Sequence, residues 1–231
     1  MVACAAAGCP YAAAMTVRQG PEPPPAARPA WAVPAGLAAW AVVYPAVFRF
    51  QLLPFWPSMM ALAVLAWWVA WHPDLEARLR PTRRLVAMGL ASGLGLYAVF
   101  AAGALVVHPT PLWPRVEQMA ALVRTAAPAP VAALLILFVT SPAEEVLWRG
   151  AVFTRLAGRL ASGWQAVAAT TLLYALFVAL SGNPTLPLAA CVCGAVWARQ
   201  RQVTGSLVPG VVSHATWALA TFLLLPGLPR A

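Results

Sequence analysis

The sequence predicts an all-α, polytopic membrane fold of about seven spans, and three observations predict it. The chain is 62% hydrophobic and 9% charged, well above the roughly 45–50% apolar content of soluble domains. Its apolar residues fall into successive runs, each approaching the ~20 residues that a helix needs to cross a bilayer. All fifteen basic residues are arginine, and they concentrate in the connections between runs, which lets the loops be sorted by side.

Taken in order, residues 1–30 are rich in Ala, Pro and Gly, including PEPPPAARPA, and predict an extended or disordered tail. Met15 is a second candidate start, and nothing before Ala30 forms the apolar core of a signal peptide. Spans follow at 31–52 and 55–72, the second closing on Trp67, Trp68 and Trp71 as interface anchors, with His72 beyond them. The third span covers 85–107 and ends in HPTPLWP, which carries His108. Residues 114–126, PRVEQMAALVRTA, are too polar to span and predict an interfacial helix. The fourth span covers 129–148, and Pro142 within it is expected to kink or restart the helix. The last three lie at 163–181, 185–200 and 206–225, the sixth being the shortest. Cys191 and Cys193 are two apart on a helix, so they point to different faces and read as small packing residues. Neither that pair nor Cys4 with Cys9 has zinc-site spacing.

Arginine counts set the orientation. Placing the loop with Arg78, Arg80, Arg83 and Arg84 in the cytoplasm also puts Arg149, Arg155, Arg159, Arg199 and Arg201 inside, with Arg18 and Arg28 of the tail. Arg49, Arg115, Arg124 and Arg230 then fall outside, so the N-terminus is cytoplasmic and the C-terminus external. The Glu144–Glu145 carboxylates are expected near the cytoplasmic side. The dispersed arginines, without interleaved aromatics, exclude a nucleic-acid platform. No phosphate loop, nucleophile elbow or paired CxxC occurs.

The chain has six acidic residues, and two stand side by side in VAALLILFVTSPAEEVLWRG, at Glu144 and Glu145. A bilayer penalises such a pair unless the charges are paired or used. Glu145 and Arg149 are spaced i and i+4, acid first, and can pair on a helix. Glu144 is turned about 100° away, free to face a cavity as a general base. His214, the one histidine of the C-terminal half, lies within the last span. It can meet a carboxylate across the bundle as a hydrogen-bonding partner or in partial metal ligation. Structural alternatives stand beside this reading, namely a salt-bridged pair with a core histidine, or a proton or cation site of a small transporter.

Two stretches carry a family resemblance. AEEVLWRG, with Glu144, Glu145 and Arg149, resembles the first motif of the CPBP intramembrane proteases, the type II CAAX prenyl endopeptidase or Abi family. RQVTGSLVPGVVSHATWAL resembles the last motif, in which a basic turn and TGSL lead to a histidine. The resemblance covers about residues 114–225, and it implies N-terminal helices over 31–113 and a catalytic core over 114–231. It implies that Glu144 is the base that activates water, that Glu145 and Arg149 support it, and that His214 binds the oxyanion. The family's middle motif places a histidine four residues after an aromatic, where this chain has Tyr174 and then Val178. The last motif places asparagine or aspartate four residues after its histidine, where this chain has Ala218. Tyr174, Trp217 and Thr221 are the donors near these two gaps.

The implied function is an intramembrane endopeptidase acting on a membrane-associated or lipidated peptide in a bacterial-type inner membrane, with a peptide-binding pseudoprotease as the alternative. The resemblance leaves a divalent metal open. One histidine and two carboxylates make a thin ligand set for zinc, and no cofactor is expected.

Overall fold

The computed structural model describes residues 28–224, and every regular element among them is helical. Nearly all of the expected tail, with Cys4, Cys9 and Arg18, lies outside the described residues, as do Arg230 and the C-terminus. The elements are α1 (Ala32–Phe48), α2 (Phe55–Ala70), the single turn α3 (Leu75–Arg78), α4 (Arg83–Val107) and α5 (Trp113–Thr125). They continue with α6 (Ala129–Ala157), α7 (Gly163–Ala179), α8 (Thr185–Thr204) and α9 (Val208–Leu223).

Local chemistry sets several of these boundaries. Thr82 starts α4 by accepting a bond from the Leu85 amide. Ser162 and Gln165 form a reciprocal capping box at the start of α7, which satisfies amides left open at a helix N-terminus. Gly205 ends α8 in the left-handed region at φ 69°, a conformation glycine adopts without steric cost. The TGSL turn that follows is pinned from outside. Ser206 Oγ donates to the Arg78 carbonyl at 2.9 Å and accepts from the Val208 amide at 3.1 Å, while the Leu207 amide donates to the same Arg78 carbonyl at 2.9 Å. This turn therefore fixes where α9 begins, and with it the position of His214.

The helices pack in pairs, α4 along α9 and α7 along α8, with the α1–α2 hairpin against α6. Gly89 and Gly93 let α4 approach α9 closely: a Cβ at Gly89 would stand 2.6 Å from Val212 Cβ, and one at Gly93 would stand 2.8 Å from the Ser213 carbonyl oxygen. Small residues four apart are what allow helices to associate in lipid, where hydrocarbon tails remove the hydrophobic drive. Helix α5 buries only Val123.

Two of these helices, Arg83–Val107 and Ala129–Ala157, are long and apolar enough to cross a membrane. Four more are apolar but shorter, and α8 ends in the polar run Arg199–Gln202. Helix α6 differs from expectation. It runs unbroken through Pro142 because the chain widens into π turns at Ile136–Thr140 and Val146–Val152, and the Ser141 amide bonds to the Ile136 carbonyl. A π turn relieves the clash and the missing donor that proline brings to an α-helix. The helix thus extends to Ala157 instead of ending near 148, and Glu144 and Glu145 lie in its middle.

The bundle has two unlike ends. One carries Arg78, Arg80, Arg83 and Arg84, with the α6–α7 connection and the TGSL turn. The other carries the α1–α2 turn, α5 and the α7–α8 turn.

Candidate active site

Residues Glu145 to Gly150 are all buried, so the second π turn of α6 is the centre of the protein core. Glu145 and Arg149 are both 0% exposed. Arg149 Nη1 donates to Glu145 Oε1 at 3.0 Å, the pair their spacing suggests. Nη2 donates to the Gly194 carbonyl on α8 at 3.3 Å. The guanidinium lies over the rings of Tyr174 and Trp197, 4.8 and 5.1 Å from their centroids, where the negative faces of the rings stabilise the cation. Glycine makes room for this pair twice. A Cβ at Gly194 would come within 3.3 Å of Arg149 Nη2, and one at Gly210 within 2.7 Å of Glu145 Oε2.

His214 joins the same carboxylate, its Nδ1 lying 3.2 Å from Glu145 Oε1. A carboxylate only accepts, so Nδ1 carries the proton and Nε2 is the free nitrogen. The imidazole stacks on Trp197, with centroids 4.1 Å apart and planes 15° apart. Trp197 is held in turn by an indole N–H donated to Ser213 Oγ at 3.1 Å. His214 therefore contacts Glu145 directly, and it meets Glu144 only across a shared space.

That space is a cavity of about 100 Å³, lined by Glu144, Tyr174, Val178, Trp197, His214 and Trp217, among others. Glu144 is half-buried and accepts a bond on Oε2 from the Tyr174 hydroxyl at 3.0 Å. Val178 forms part of the wall one turn beyond Tyr174, whereas Ala218 is buried in the apolar core. Trp217 lines the cavity, and its indole Nε1 is buried with no partner among the described residues. Cys193 packs into the same wall. Tyr44, Met119, Leu186 and Phe222, also in the lining, come from the end of the bundle that holds α5. The cavity thus leans away from the arginine-rich end, where the sequence reading places the carboxylates.

Sequence reasoning did not single out Gly194, Gly210, Trp197, Ser213 or Tyr44. The one signal available was small residues inside otherwise bulky apolar spans, and that does not say which charged group they accommodate. The residues also do not suit a metal. No three His, Cys, Asp or Glu side chains cluster among the described residues, and the acceptor nearest His214 already neutralises the Arg149 cation, whereas a metal needs its donors' lone pairs.

No curated protein and no solved structure matches the chain. Residues 126–220 match the family described as type II CAAX prenyl endopeptidase Rce1-like, a family of membrane-embedded proteases. That segment holds α6 to α8, all but the last turn of α9, and every residue of the arrangement above except Tyr44, Met119 and Phe222, and the match supports membership in the type II CAAX prenyl endopeptidase Rce1-like family.

Proposed function

We propose that this chain is an intramembrane endopeptidase that cleaves a membrane-associated or lipidated peptide with water activated by Glu144. The observation that carries this reading is the division of polar groups around one cavity. Glu144 and His214 reach it from different helices, while Glu145 and Arg149 are sealed behind it. In this mechanism Tyr174 occupies Oε2 of Glu144, so Oε1 takes a proton from water as the oxygen attacks the scissile carbonyl carbon. The tetrahedral oxyanion accepts a hydrogen bond from His214 Nε2–H, with the ring held through Nδ1–H by Glu145. The Trp217 indole N–H is a second donor on the same wall. Glu144 then passes its proton to the departing amide nitrogen, the C–N bond breaks, and a carboxylic acid and an amine result.

A second reading, a pseudoprotease that binds a membrane peptide without cutting it, is favoured by Val178, an apolar side chain on the cavity wall where the resemblance places histidine. The detergent-purified chain, incubated with lipidated and unlipidated peptides and followed by mass spectrometry, separates the two. The endopeptidase yields new chain ends with wild type and none with Glu144→Ala. A pseudoprotease yields none with either, but gains cleavage in Val178→His with Ala218→Asn.

We read the helices other than α3 and α5 as seven spans in an inner (plasma) membrane, with the arginine-rich end in the cytoplasm. The N-terminus then lies inside and the C-terminus outside, and the cavity is reached from the external side. A membrane-impermeant maleimide applied to intact cells should label Gln118→Cys and spare Thr82→Cys. The reverse pattern overturns this orientation.

A further inference from the structure

A second pocket, of about 310 Å³, opens beside the cavity at the α5 end. Its polar side chains converge from three places: Arg49 and Gln51 in the α1–α2 turn, Arg115 and Gln118 on α5, and Ser181 and Asn183 in the α7–α8 turn. The α7–α8 turn touches the backbone of one arginine and the side-chain stem of the other. Asn183 Nδ2 donates to the Arg115 carbonyl at 2.8 Å, and Asn183 Oδ1 accepts from the Thr185 amide and hydroxyl at 3.1 and 2.8 Å. Gly182, at φ 72°, presses on Arg49, where a Cβ would stand 3.1 Å from Cγ. Gln51 is the only non-glycine at positive φ among the described residues, at 51°, a strain of the kind retained at ligand sites.

Neither Arg49 nor Arg115 pairs with a carboxylate among the described residues. The pocket is therefore a cationic site with amide groups around it. Met119 and Leu186 line both this pocket and the Glu144 cavity, so an anion held here lies within a short peptide's reach of Glu144.

We propose that Arg49 and Arg115 form a vestibule that takes a carboxylate of the peptide substrate, from its chain terminus or from an acidic side chain, a few residues from the bond presented to Glu144. This rests on the reading of the Glu144 cavity as a peptide-cleaving site. Guanidinium groups match a carboxylate in planar two-point geometry, and Gln51 and Gln118 supply neutral partners for the peptide groups beside it.

The test is binding, which does not depend on cleavage. A short apolar peptide labelled with fluorescein is prepared as the free acid, as the C-terminal amide, and as the amide with a glutamate near its end. Its affinity for the full chain in detergent is read by anisotropy. One charge-assisted contact predicts about tenfold tighter binding of a carboxylate form over the plain amide, and Arg49→Gln or Arg115→Gln should erase that preference. The form that binds tighter tells terminus from side chain. Equal binding of all forms, no binding of any, or a preference that survives both substitutions overturns the proposal. So does equal binding accompanied by loss of co-purified anionic lipid in the arginine variants, which would assign the pocket to a headgroup. None of these outcomes touches the hydrolytic reading, which stands or falls on the appearance of cleaved product.

Discussion

Glu144→Ala is expected to lower kcat on a cleaved peptide by about 100- to 10,000-fold, the range for losing a general base, while the protein stays folded. No neighbouring carboxylate can take its place. Glu145 is fully buried and already shared by Arg149 and His214. The structural cost is small because Glu144 is half-buried and makes one side-chain bond, to Tyr174. Losing the acceptor of a single hydroxyl costs on the order of 1 kcal/mol. Turnover, measured alongside thermal unfolding followed by tryptophan fluorescence, checks both halves of this expectation.

Glu145→Ala is expected to do the opposite and destabilise the fold by about 3–5 kcal/mol, the cost of stranding one member of a buried ion pair. Arg149 would keep the Gly194 carbonyl and two ring faces. Cation–π contacts contribute about 0.5–2 kcal/mol, too little to hold a guanidinium with no anion beside it. His214 would also lose the acceptor that fixes its ring. The double change Glu145→Leu with Arg149→Leu should recover much of the loss, since an apolar pair of similar volume removes both desolvation costs. Denaturation curves of the single and double variants read this directly.

The helices were legible because hydropathy over long runs needs no tertiary information. Helices α1, α2, α4, α7, α8 and α9 begin and end within a few residues of the expected limits, and α5 was legible from its polarity. The course of α6 was not legible. Pro142 read as a kink or restart and the run before Arg149 as a helix end, and no local pattern announces that π turns will carry the backbone past both. That one error placed the carboxylates near the end of their helix, where the structure has them in its middle. Within the site, the Glu145–Arg149 contact is local in sequence and followed from i, i+4 spacing. The contact of His214 with Glu145 joins residues on separate helices, and it depends on where the TGSL turn sets α9 and on Gly210 giving the carboxylate room. Spacing along the chain carries no information about either. The vestibule arginines read only as loop charges, because three turns distant in sequence must meet before they share a pocket.

The proposed function gives the adjacent glutamates separate tasks, so the most direct measurement is the unfolding midpoint and peptide turnover of Glu144→Ala and Glu145→Ala in one detergent preparation. Glu144→Ala should unfold close to wild type and turn over peptide at least about 100-fold more slowly, while Glu145→Ala should show the large fall in unfolding midpoint. Equal destabilisation of the two, or a folded Glu144→Ala that cleaves at the wild-type rate, would contradict it.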